Sequence, residues 1–222
     1  MLIDIALDAV GSDKAPEPEI KGAILACQSL PVRVHLIGPQ AELRDLLDEH
    51  LENEDLPIVI HHASERIGME EKAAHAYRSK KDSSMRVGLR LVHDRKCAGF
   101  VTAGNTGAAM AIATFDIGRI AGIDRPAIAT TLPTLKGRSL LLDAGANVDC
   151  SPQNLLQFGL MGSIYAEKVL KRTQPAVGLL NIGGEPGKGN ELTKATYPLL
   201  QASGLNFLGN VEGKYVFEGA VD

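Results

Sequence analysis

Short runs of apolar and β-branched residues recur along this 222-residue chain: Leu2–Leu7, Val32–Ile37, Ile58–Ile60, Gly99–Thr102, Ile128–Leu132, Ser139–Leu142 and Val177–Asn181. A strand that is apolar on both faces must be covered on both faces, which is the situation of a parallel sheet built from strand–helix–strand crossovers. Helical periodicity fills most of the gaps. Glu17–Ser29 sets Ile20, Ile24 and Leu25 on one face, and Ala41–Leu51 gathers Leu43, Leu46, Leu47 and Leu51 behind Pro39. Leu155–Leu170 and Glu191–Gln201 repeat the pattern, with Ser151-Pro152 as an N-cap and N1 proline ahead of the former. The pattern predicts a three-layer α/β/α sandwich with a mostly parallel sheet. TTLPTLKG, inside Pro126–Gly137, joins two strands directly and predicts a mixed sheet.

Length permits one large domain or two small ones. No Gly/Ser linker or fixed-period repeat marks a boundary, so residues 1–222 read as a single α/β domain. Lys and Arg number 23 against 27 Asp and Glu, a net charge of −4. That balance argues against a general nucleic-acid binder, which needs a basic face to displace counterions. Cys27, Cys97 and Cys150 form no C-x-x-C pair, which suggests neither a disulfide framework nor a zinc site. The opening MLIDIALDAVGSD carries Asp4 and Asp8 and no basic segment, unlike a signal peptide, and no run of about 18 apolar residues occurs. A cytoplasmic protein is expected. Ala220-Val221-Asp222 reads as the entry to another strand, so the domain is expected to be incomplete at its C-terminus, to self-associate or belong to a longer polypeptide, and to sustain little turnover alone.

Ligands of parallel sheets bind beyond the carboxyl ends of the strands. Four such ends here are rich in small and polar residues. Asp8-Ala9-Val10-Gly11-Ser12-Asp13 turns between two carboxylates, with Asp13 a candidate helix cap or pocket residue. Gly104-Asn105-Thr106-Gly107 combines flexible backbone and side-chain donors at a helix start, which suits an anion, though it is neither a P-loop nor G-x-G-x-x-G. Asp143 stands at a strand end with Asn147 close by. Gly183-Gly184-Glu185-Pro186-Gly187-Lys188-Gly189-Asn190 surrounds one lysine with glycines before a helix capped by Asn190. A fifth stretch, Arg78-Ser79-Lys80-Lys81-Asp82-Ser83-Ser84-Met85, is either a solvated face with a helix cap or a wall of the same pocket. His61-His62 lacks spaced acidic or thiol partners, His75 and His93 fall in helical stretches, and Cys150 has no evident histidine partner.

DAVGSDKAP, KKDSSM, TAGNTGAAM, GRIAGIDRPAIA, LLDAGANVDCSP, FGLMGSIYAEKVL, VGLLNIGGEPGKGNELTK and NFLGNVEG, in this order, resemble the bacterial acyl-ACP:phosphate acyltransferase family along essentially the whole chain. The sequence departs from that pattern at Ser12, Lys72 and Gly184, and it lacks the family's C-terminal third. The resemblance implies a Rossmann-like fold similar to phosphate acetyltransferases and isocitrate-type dehydrogenases. It implies transfer of a fatty acyl group from the thioester of acyl carrier protein (ACP) to inorganic phosphate, giving acyl phosphate for phospholipid synthesis. A membrane glycerol-3-phosphate acyltransferase would use the product. A homodimer without metal or other cofactor is implied, peripheral to the membrane at full length. Phosphate attack on a thioester needs an anion seat more than a strong base. Gly104, Asn105, Thr106, Gly107 and Asn147 are the candidate phosphate seat; Lys188, Asn190 and Asp143 are the candidate catalytic residues. Asp8, Asp13, Lys81, Ser83 and Ser84 are further pocket candidates. Two alternatives carry the same residues: an acetyl-CoA-type phosphate acyltransferase, and a non-catalytic fragment that binds ACP.

Overall fold

Ile3–Asp8 (β1) lies between two parallel neighbours, Val32–Gly38 (β2) and Gly99–Val101 (β4), and Ile58–His62 (β3) extends the sheet beyond β2 in the order β3-β2-β1-β4. In the computed structural model, which describes residues 1–51 and 55–222, this sheet organises the first of two compact units, Met1–Gly118; the second is Arg119–Asp222.

Both faces of the first sheet are covered, as its apolar strands require. Leu36, Val34 and Ala9 pack with Ile20 and Ala23 of Glu17–Ser29 (α1) and with Leu43 and Leu47 of Gln40–His50 (α2). On the opposite face Ala6, Ile37 and Phe100 meet Leu91 of Ser84–His93 (α4). Pro18 and two acidic residues, Glu17 and Glu19, open α1, where a missing N–H is harmless and negative charge suits the helix dipole. Pro16 is the N-cap and no side chain caps the helix, so Asp13 is not its cap; the Ser12–Ala15 turn separates it from the first helical turn. Ser83 does cap α4, accepting from Arg86 N. Two shorter helices, Ala73–Ser79 (α3) and Thr106–Ile112 (α5), complete this unit, and a π-helical turn at Ala113–Ile117 continues α5.

In the second unit Ala129–Thr134 (β5) and Gly137–Leu142 (β6) form an antiparallel hairpin, and Val177–Leu180 (β7) pairs in parallel with Phe207–Val211 (β8). The direct link read from TTLPTLKG is present, but the expected mixed sheet is not: the antiparallel β5-β6 pair is a two-stranded sheet of its own, and the other described sheets are parallel. Pro152–Lys168 (α6) begins with a capping box between Ser151 and Asn154, and Glu191–Ala202 (α7) leads from β7 to β8. Gly213–Phe217 (α8) follows β8. Asp222 links β6 to the residue that precedes β7: its carbonyl accepts from Leu140 N at 2.6 Å, and its amide donates to Ala176 O at 3.0 Å. Among the described residues no helix is long and apolar enough to cross a membrane.

α4 packs closely on its sheet because Gly88 has no side chain. A Cβ there would stand 2.4 Å from the Phe100 ring and 2.9 Å from Ile37 Cδ1. Gly88→Ala is therefore expected to destabilise the first unit by about 1–3 kcal/mol despite the better helix propensity of Ala, as overpacked cores do. Urea unfolding followed by hydrogen exchange of α4 amides measures it; unchanged or raised stability would contradict the packing.

Candidate functional site

In the first unit the sheet order reverses at β1, with β2 on one side and β4 on the other, so the carboxyl ends of β1 and β4 flank its topological switch point. Asp8, at the end of β1, is 1 % exposed. Its Oδ2 accepts from Thr102 Oγ1 at 2.8 Å and its Oδ1 from Val10 N at 3.3 Å, while Thr102 Oγ1 accepts from Gly104 N at 3.0 Å. This chain ties the two strand-end loops together inside the protein. A Cβ at Gly11 would lie 2.5 Å from Asp8 Oδ2, and one at Gly104 would lie 2.5 Å from Met85 Cε. Both glycines thus pack directly against neighbouring protein atoms, and the Cβ at Gly104 would also lie 3.1 Å from Gly11 O.

Asn105 is also committed. Its Nδ2 lies 2.9–3.1 Å from the carbonyls of Gly68, Met69 and Glu71, and its Oδ1 caps α5 by accepting from Ala108 N at 2.9 Å. The side chain binds the 68–71 loop, which leaves it little to offer an anion. Thr106 and Gly107 are exposed, and their amides precede the first intrahelical bond, Ala109 N to Asn105 O. Ser83 and Ser84 are buried, the first as the α4 cap and the second donating its amide to Glu65 O. Lys81 is exposed and lies over the Tyr77 ring, and Asp13 is exposed.

Two basic residues reinforce this end, Lys80 from the fifth candidate stretch and Arg66 from outside the sequence-predicted set. Arg66 donates to Ser12 O at 2.7 Å, and Lys80 pairs with Glu71 at 2.5 Å and also donates to Arg66 O. The Gly68 amide, then Lys80, hold the Glu71 carboxyl below its ordinary value. The Ser64 hydroxyl and amide do the same for Asp82. Lys80 belongs to the KKDSSM stretch already singled out as a possible pocket wall, whereas Arg66 sits in no motif and acts through a main-chain carbonyl that a sequence does not reveal.

In the second unit Asp143 and Asn147 come together. Asp143 Oδ1 accepts from Ile128 N and Oδ2 from Asn147 N, both at 2.7 Å, and Asn147 Nδ2 reaches Pro126 O at 2.9 Å. These bonds fold the 143–147 loop against the start of β5. Asp143, Asn147 and Thr193 edge a cavity of about 360 Å³ whose walls are the β6 and β7 strands and whose floor includes Phe158. Cys150 also lines it; burial, then the Asp143 charge, pushes its thiol above the ordinary value. Asn190 caps α7, accepting from Thr193 N at 2.9 Å. Lys188 is exposed outside that cavity's lining, and its ammonium has no hydrogen-bond or ion-pair partner among the described residues. A turn closes beneath it, Lys188 N to Glu185 O at 3.0 Å, with Pro186 and Gly187 at its centre.

A family model described as fatty acid synthesis protein matches residues 3–222. A phosphate acyltransferase of Acidobacterium capsulatum is 62% identical over 222 residues, covering all of this chain and 66% of its own length. The phosphate acyltransferase of Koribacter versatilis is 56% identical over 228 residues, with 64% of its length covered. The chain thus spans just under two thirds of these curated relatives. The EutD phosphotransacetylase of Staphylococcus aureus shares the fold, with a TM-score of 0.66 at 15% identity over 95% of this chain and 69% of that one.

Two outcomes test the placements. Asp143→Asn keeps the shape but offers one acceptor oxygen where two are used. It is expected to lower the stability of the second unit by about 1–3 kcal/mol, with faster hydrogen exchange at Ile128 and Asn147; unaltered exchange would refute the tether. Asp82, with its folded pKa depressed below 3.8, contributes stability that is present above the unfolded value and lost as pH falls through the folded one. Asp82→Asn should therefore flatten the acid limb of the first unit's stability curve below about pH 4. An acid limb identical to the parent's would show that the Ser64 bonds do not favour the carboxylate.

Proposed function

The chain belongs to the fatty acid synthesis protein family, and from that membership we propose that it serves transfer of a fatty acyl group from an ACP thioester to inorganic phosphate. The observation that carries this function is Lys188: a lysine with a free ammonium on a glycine-rich loop at the carboxyl end of a parallel strand. Phosphate near neutral pH is already an oxyanion, so the protein need not create the nucleophile. A fixed positive charge concentrates and orients it.

The proposed reaction balances simply. A phosphate oxygen of HPO₄²⁻ attacks the thioester carbonyl, the new C–O bond forms, the carbon–sulfur bond breaks, and the phosphate's proton ends on the departing thiol. Charge accumulates on the former carbonyl oxygen on the way, and a nearby cation stabilises it. Lys188 suits holding the anion and offsetting that charge. In the first unit, Thr106 and Gly107 are exposed residues at the start of α5, where main-chain amides suit an anion. Acyl carrier protein is the proposed donor, acyl phosphate the product, and a membrane glycerol-3-phosphate acyltransferase its consumer. A homodimer and a cytoplasmic location accompany the proposal.

The test is the phosphate dependence of ACP-thiol release from an acyl-ACP thioester, rather than the absolute rate. Release should rise with phosphate and saturate. Lys188→Met, which keeps the length of the side chain, should lower it on the order of 10²-fold at subsaturating phosphate while leaving the urea midpoint unchanged. Release independent of phosphate, or unaffected by Lys188→Met, would overturn the assignment.

A further inference from the structure

The loop that carries Lys188 is clamped at both ends of its turn by strand-end asparagines. Asn181 follows β7; its Nδ2 donates to Lys188 O at 3.0 Å, and its Oδ1 accepts from Ile182 N at 2.8 Å. Asn210 lies in β8, the parallel neighbour of β7; its Nδ2 donates to Glu185 O at 2.7 Å. Glu185 O and Lys188 O are the first and last carbonyls of the Glu185–Lys188 turn. One asparagine therefore fixes where the turn begins and the other where it ends.

The surrounding glycines make room for this clamp. A Cβ at Gly189, where φ is +97°, would lie 2.5 Å from Asn181 Oδ1 and 2.1 Å from Thr193 Oγ1. A Cβ at Gly183 would lie 3.0 Å from Lys188 Cγ, so the lysine stem rests on bare backbone. Both asparagines donate to carbonyl oxygens, a task an aspartate cannot perform. An ammonium on a four-carbon stem has many rotamers, and fixing the Cα and the stem's support reduces the freedom that anion binding must freeze.

We propose that Asn181 and Asn210 are positioning residues for Lys188, holding the 185–188 turn so that the ammonium meets a phosphate oxyanion at the end of β7. The role rests on the phosphate function proposed for Lys188. Neither asparagine touches the anion; each acts through the main chain of the turn.

The experiment is a titration of the ¹⁵N-labelled 222-residue chain with inorganic phosphate, followed by the amide shifts of Gly187 and Gly189. The parent, Lys188→Met, Asn181→Ala, Asn210→Ala and each double variant with Lys188→Met are compared, neutral substitutions that remove the donated bond without adding charge beside the anion. Each alanine variant should weaken phosphate binding roughly tenfold in the parent, and less than about twofold when Lys188 is already Met. An asparagine that merely stabilises the fold would not show this dependence on Lys188. Equal weakening in both backgrounds, or none in the parent, overturns the positioning role and leaves the phosphate function standing. Phosphate binding that is absent, or that Lys188→Met leaves unchanged, removes the function and the positioning role with it. Should Asn181→Ala fail to fold, Asn210→Ala carries the same test from the other end of the turn.

Discussion

Coverage of parallel strands on both faces is the constraint on which the rest depends. In the first unit, α1 and α2 occupy one face of the sheet and α4 the other. Only the strand ends remain open, and there the chain must turn with its amides and carbonyls accounted for. Asp8 solves this at the centre of the sheet, a buried carboxylate that accepts from Val10 N and from Thr102, which in turn holds Gly104. The second unit applies the same solution at β6, where Asp143 gathers two main-chain amides. Acidic residues at strand ends here organise loops first, and whatever chemistry the loops perform is built on that order.

Much of the fold was legible because its signals are local. Glu17–Ser29 was read with the bounds it has, and Ser151-Pro152 announced α6 through capping chemistry. The direct link at Leu135–Lys136 was visible as a stretch too short for a crossover helix. The strand at Phe207–Val211 was less legible: Gly209, with φ at +100°, interrupts its alternation, and its partner β7 is far away in sequence. α3 and α5 were hard to delimit because each has only seven residues, too few for periodicity to speak clearly.

The candidate site was legible by loop but not by atom. Asn105, Gly104 and Asp8 have the composition of a ligand loop, yet their groups are engaged with Met69 O, Met85 and Thr102. Main-chain partners leave no trace in a sequence, so a polar residue bound to carbonyls looks the same as one awaiting a ligand. The same blindness hid Arg66, whose partner is Ser12 O. Lys188 was legible as the lone cation of a glycine-rich loop; what its sequence could not show is that Asn181 and Asn210 hold the carbonyls at the two ends of its turn.

The central claim is that phosphate, and not water, receives the acyl group. The most direct measurement is the fate of that group: acyl-ACP and ¹⁸O-labelled phosphate are incubated with the protein, and the products are resolved by ³¹P NMR and hydroxylamine trapping. The account expects every ACP thiol released to be matched by one acyl phosphate with label in the bridging oxygen. Thiol release accompanied by free fatty acid alone, with no acyl phosphate, would contradict it.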